Sequence, residues 1–119
     1  MEALLEDMSL LVNEQIVAPD VVVYEVANAI WKQEHLMKDL EDGKQYITIF
    51  HGLIESGKIT VLPPNESLLQ DSYLMAKQNS ITVYDAVFIA LALQLELSLK
   101  SLDKAQIRAF KSERNKKAP

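Results

Sequence analysis

The chain contains no cysteine, which excludes a disulfide framework, a thiolate metal site and a thiol nucleophile. It also lacks a membrane-length apolar run: the longest uncharged, mainly apolar stretch, Ala86 to Leu95, is half of what a bilayer span needs. No basic leader precedes an apolar core, since the opening "MEALLEDMSLLV" is acidic and helix-patterned, unlike a secretory signal. These absences predict a soluble, cytoplasmic protein with no membrane association. Broad positive charge is missing too. The net charge of -5 argues against holding nucleic acid through a general basic surface.

What is present suits one compact domain with a real core, because 119 residues are 49% hydrophobic and 24% charged. The expected organisation is a single domain over residues 1–112 followed by a basic tail over 113–119. From Lys104 onward six basic residues (Lys104, Arg108, Lys111, Arg114, Lys116, Lys117) stand against Glu113 alone, a balance of +5, so residues 1–103 carry -10. A solvated, frayed terminus is the favoured reading of that end, and a phosphate-steering arm is the alternative.

Periodicity orders the rest. Leu4, Leu5, Met8, Leu11 and Val12 predict an amphipathic first helix. "QIVAP" follows as a short strand, and Asp20 can cap a helix through about Glu34 with Val22, Val23, Val26, Ala27 and Ile30 on its apolar face. After the polar loop "DLEDGK", Tyr46, Ile49, Phe50, Leu53 and Ile54 mark a third helix with Gly57 at its C-terminal turn. "KITVLPP" reads as a strand closed by prolines. Asn65 can cap a fourth helix to about Gln78, with Leu68, Leu69, Ser72, Met75 and Ala76 inward, broken by Asn79 and Ser80. "TVYDAVFIALA" is apolar almost all round and therefore a buried helix, and "ELSLK" after it alternates like a strand. A last helix starts at Asp103. Strands alternating with helices predict an α/β domain with a parallel sheet flanked by helices.

Three carboxylates fall just past strand ends or at helix heads, where α/β sheets gather ligands. Glu25 lies beside the narrow polar stripe of Asn28 and Lys32, Asp85 heads the buried helix, and Asp103 follows "ELSLK" with Ser101 two residues before it. Singly, Asp85 and Asp103 are explained by capping or by the helix dipole, worth about 0.5–2 kcal/mol. If the three converge, they repel one another unless protonated or bridged by a hard cation such as Mg²⁺ or Mn²⁺. His35 and His51 sit in polar helical surroundings and read as solvated residues.

"APDVVVYEVANAIWK", "ITVYDAVFIALALQLEL" and "LKSLDK" resemble three consecutive signature segments of the PIN-domain family, Mg²⁺-dependent ribonucleases that include many toxins of toxin-antitoxin pairs. The resemblance implies metal binding by Glu25, Asp85 and Asp103, with Ser101 at the position usually held by threonine. It further implies RNA as substrate, an antitoxin protein as partner, a homodimer, and Lys104, Arg108 and Lys111 as candidate RNA contacts. The family's opening strand, with its "D-x-S" aspartate, has no counterpart here. "DMSLLV", Asp7 to Val12, imitates it by letter but lies on the first helix pattern. Lys100 stands where the family mostly keeps an apolar strand residue.

An N-terminally truncated PIN-like fold is therefore expected, together with hydrolysis of RNA phosphodiester bonds impaired by the loss of one metal-binding aspartate. The alternative is a non-catalytic, PIN-derived binding or oligomerisation module. The sheet is expected either to close into three parallel strands, with "QIVA" beside "LSLK" and "KITVL" outside, or to be completed by a second copy of the chain.

Overall fold

The computed structural model describes residues 15–99, 101 and 103–117. The chain is of the α/β class and divides into two compact units, Met1–Leu62 and Pro63–Pro119. The expected first helix and the "DMSLLV" segment lie outside the described residues.

In the first unit, strand β1 (Ile16–Pro19) pairs in parallel with β2 (Ile59–Leu62). The register sets Ile16 against Ile59, Val17 against Thr60, Ala18 against Val61 and Pro19 against Leu62. Both strands are short because prolines, which cannot donate to a ladder, stop them. Two helices, α1 (Val21–Trp31) and α2 (Lys44–Glu55), make the crossover that a parallel pair requires. Val22, Val26, Ala29 and Ile30 form the buried face of α1, and Ala18 and Ile59, the latter 1% exposed, are buried in the sheet. A fully buried aliphatic side chain of this size contributes about 1.5–3 kcal/mol.

Three expectations for this unit are corrected. Asp20 does not cap α1 through its side chain, because its backbone is already helical (φ -61°, ψ -22°) rather than extended. The segment read as helix to Glu34 changes hand-hold after Trp31. Lys32–Leu36 form a π-helical turn, with the Met37 N–H donating to the Lys32 carbonyl five residues back at 2.9 Å. Finally, Ile49 is not inward-facing. It is 50% exposed, while Phe50 supplies the buried contact of α2. Gly57 takes the positive φ (82°) expected after α2.

The second unit holds three helices, α3 (Glu66–Asn79), α4 (Val83–Gln94) and α5 (Lys104–Lys117). Helices α3 and α4 pack along one another, and α5 packs on both. Asn65 caps α3 as expected, its Oδ1 accepting from the Leu68 N–H at 2.9 Å. Leu68, Ser72, Met75 and Ala76 are buried, but Leu69 is 52% exposed and does not join them. The Ser72 hydroxyl is satisfied inside the core by donating to the Leu68 carbonyl at 2.6 Å. Helix α4 buries Ala86 and every residue from Phe88 to Ala92, as a helix apolar all round must.

"ELSLK" is not a strand among the described residues, Glu96 to Leu99. The physical reason lies at the end of α4. Glu96 adopts a left-handed backbone (φ 55°), so its N–H donates to Leu93 (3.2 Å) and that of Leu97 reaches back to Ala92 (2.8 Å). Those two bonds satisfy the orphan carbonyls of the last turn. They also consume the N–H groups a ladder would need. Of the three strands expected, two make up the described sheet: β1 pairs in parallel with "ITVL", the strand expected on its outer side. Helix α5 runs to Lys117, into the segment read as a basic tail. No described helix is long and apolar enough to cross a membrane.

Candidate metal centre

Glu25 stands in the second turn of α1, half-buried beside the inward Val22 and Val26 and the exposed Asn28. It belongs to the first unit. Asp85, Ser101 and Asp103 belong to the second, where hydrogen bonds through Gln106 join the two segments that carry them.

At the head of α4, Thr82 has the extended backbone of an N-cap, and its Oγ1 accepts from the Asp85 N–H at 3.1 Å. Asp85 is therefore a third-position residue of the first turn rather than the cap itself. Among the described residues no hydrogen bond or ion pair engages its carboxylate, which is half-buried. The favourable end of the helix dipole compensates part of that charge.

Asp103 does serve as the cap of α5. Its Oδ1 accepts from the Gln106 N–H at 2.9 Å, and its own N–H donates to Ser101 Oγ at 3.0 Å. The Ser101 hydroxyl in turn donates to Gln106 Oε1, and Gln106 Nε2 donates to the Asp85 carbonyl at 3.0 Å. Gln106 is buried, at 6% exposure, and among the described residues no buried side-chain polar atom is left unsatisfied. This residue escaped the sequence reading. Its signal was the spacing Asp103-x-x-Gln106, a capping-box pattern at a helix start.

Within either unit, no three histidine or acidic side chains group as a metal cage among the described residues. The donor chemistry nonetheless suits a hard divalent cation. Glu25, Asp85 and Asp103 offer carboxylate oxygens alone; among the described residues nothing engages the oxygens of Asp85, and the cap uses one oxygen of Asp103.

The basic candidates lie on α5 at Lys104, Arg108 and Lys111, a four-then-three spacing that lines one helix face, and all are exposed. Their neighbours are occupied: Arg114 stacks over the Phe110 ring at 5.2 Å, and Lys116 pairs with Glu113 at 3.2 Å. His51 is exposed and reaches Glu55 at 3.6 Å. His35 stacks on Trp31 with ring centroids 5.3 Å apart, a contact made across the π-helical turn.

The family model described as the PIN domain matches residues 1–111. The chain is similar to Ribonuclease VapC3 of Pyrobaculum aerophilum, with 31% identity over 91 residues covering 76% of this chain and 68% of that protein. On these matches the chain belongs to the PIN-domain family.

Proposed function

We propose that the chain is a PIN-type endoribonuclease that hydrolyses RNA phosphodiester bonds, with Glu25, Asp85 and Asp103 holding Mg²⁺ or Mn²⁺. The observation that carries this reading is the Asp85 carboxylate. Thr82 already caps α4, so the charge at the head of a buried helix has no structural partner among the described residues. A cation is the compensation that the family match and the ribonuclease relative favour. The match over residues 1–111 also supports reading both units as parts of one PIN-like domain.

Mg²⁺ or Mn²⁺, when bound, supplies a water of lowered pKa and Lewis-acid stabilisation of the phosphoryl and leaving oxygens. The chain's own residues do the rest. Glu25, Asp85 and Asp103 provide the negative charge that retains the cation. Ser101, through its bonds to Asp103 and Gln106, keeps the second segment in place. Lys104, Arg108 and Lys111 face solvent along α5, where they guide the phosphates of a single strand.

The test is Mn²⁺ titration followed by cleavage of labelled single-stranded RNA, with the parent and Asp85→Asn compared. Mn²⁺ binding and RNA cleavage that both disappear in the variant are the expected result. Cleavage unchanged in Asp85→Asn refutes the assignment of Asp85 to the site. Absence of Mn²⁺ binding rejects the metal site and returns Asp85 to the helix dipole.

A second reading, a binding or oligomerisation module, is favoured by one observation. Tyr24, Trp31, Leu36 and Met37 are all exposed on α1 and the π-helical turn, a stretch suited to a second copy of the chain or an antitoxin. Sedimentation equilibrium at micromolar concentration tests self-association, and a strict monomer counts against that use.

A further inference from the structure

The buried amide of Gln106 connects the two carboxylate-bearing segments of the second unit. In a capping box, the residue three past the cap folds back onto the cap's own N–H. Here Ser101 takes that N–H, at 3.0 Å from Asp103. The Gln106 side chain is thereby released to span to the first turn of α4, where it donates to the Asp85 carbonyl at 3.0 Å and accepts from Ser101. The orientation of the amide follows from its partners, since a carbonyl oxygen facing the Asp85 carbonyl would leave two acceptors opposed. The backbone N–H of the same residue holds Asp103 Oδ1 at 2.9 Å.

From this arrangement we infer that Gln106 is a positioning residue: it fixes the main chain of Asp85 against the Ser101–Asp103 turn, so that both carboxylates are presented to one divalent cation at a set spacing. The inference rests on the metal-site reading above. The amide oxygen and amide nitrogen of this buried glutamine each bond a segment that bears a proposed ligand. Among the described residues the carboxylates it locates keep oxygens available, both on Asp85 and one on Asp103. Groups that orient metal ligands are commonly worth about 10–100-fold in metal affinity.

Gln106→Met removes the polar groups at nearly constant volume. Two readouts separate positioning from plain stability. In the metal-free protein, the amide ¹⁵N resonance of Ala86 should move, because the Asp85 carbonyl of the same peptide group loses a hydrogen bond. Mn²⁺ affinity, measured by electron paramagnetic resonance well below the unfolding temperature, should fall about 10-fold or more. Asn79→Leu is the control, since it breaks a buried polar tie between α3 and α5 that touches neither carboxylate. It should lower stability and leave Mn²⁺ affinity unchanged.

If Mn²⁺ binds the parent and Gln106→Met equally, the inference is overturned and the metal reading survives. If Mn²⁺ fails to bind the parent, or binds Asp85→Asn as well as the parent, the metal reading fails and the inference falls with it. A drop in affinity equal to that in Asn79→Leu assigns the effect to stability and also overturns it. Should the methionine variant not fold, Gln106→Asn keeps an amide that is one methylene too short to span both segments, and the same loss is expected.

Discussion

Asp103 has two candidate roles, capping α5 and binding a cation, and one pair of substitutions separates them. Asp103→Ala removes the oxygen that accepts from the Gln106 N–H at 2.9 Å. Loss of such a cap costs about 1 kcal/mol, within a range of about 0.5–2. For a chain of 119 residues the unfolding entropy is about 0.25 kcal/mol/K, so each kcal/mol moves Tm by about 4 °C. Asp103→Asn keeps an acceptor and ranks with aspartate as a cap, so its Tm should stay within about 1 °C of the parent. Added Mn²⁺ at ten times its Kd should stabilise the parent by about 1.4 kcal/mol, a rise of about 6 °C. If Asp103 is a ligand, both variants should show a smaller rise at the same Mn²⁺ concentration. Thermal unfolding followed by circular dichroism, with and without Mn²⁺, reads all of these differences. An Asp103→Asn variant as destabilised as Asp103→Ala would refute the capping argument. A full Mn²⁺ shift in either variant would remove Asp103 from the metal site.

Two further perturbations follow. Asn79 donates to Glu113 Oε1 at 2.9 Å and to the Met75 carbonyl at 3.0 Å, and Glu113 is 7% exposed. Asn79→Leu should therefore lower the unfolding free energy by about 1–3 kcal/mol, read as a lower urea midpoint at unchanged slope. The triple replacement Lys104→Ala, Arg108→Ala, Lys111→Ala should weaken single-stranded RNA binding and reduce the slope of log affinity against log salt by about 2. An unchanged slope would show that this face of α5 meets no phosphate.

The legible parts of the fold were those where a residue type admits one local structure. Prolines close both strands, Asn65 is an N-cap by side-chain chemistry, Gly57 takes a positive φ, and the apolar run of α4 has nowhere to go but inward. The illegible parts turned on backbone geometry that side-chain patterns do not encode. Glu96 in a left-handed conformation carries no glycine or asparagine to announce it, so alternation in "ELSLK" suggested a strand where the helix was being capped. The π-helical turn at Lys32–Leu36 shifts the helical phase by one residue, which a fixed periodicity does not detect. Ile49 and Leu69 fit their apolar stripes by spacing yet stand at the margin of the buried face, where sequence does not say how wide that face is.

The same limit governed the site. By spacing alone Asp85 and Asp103 were interchangeable, each an acidic residue at a helix start that capping could explain. Their hydrogen bonds divide them. Asp103 is a cap, with one oxygen on the Gln106 N–H, so its presence is accounted for whether or not a cation binds. Asp85 is not, because Thr82 has already taken the capping position and accepts the N–H that a carboxylate would otherwise compete for. The dipole of α4 favours the charge by about 0.3–1 kcal/mol at an exposed helix end. Asparagine at 85 would forgo that contribution and lose nothing else among the described contacts. The proposed cation would supply this half-buried carboxylate with the compensation that the described contacts do not. Asp85→Asn is accordingly the substitution in which function and stability should separate most widely.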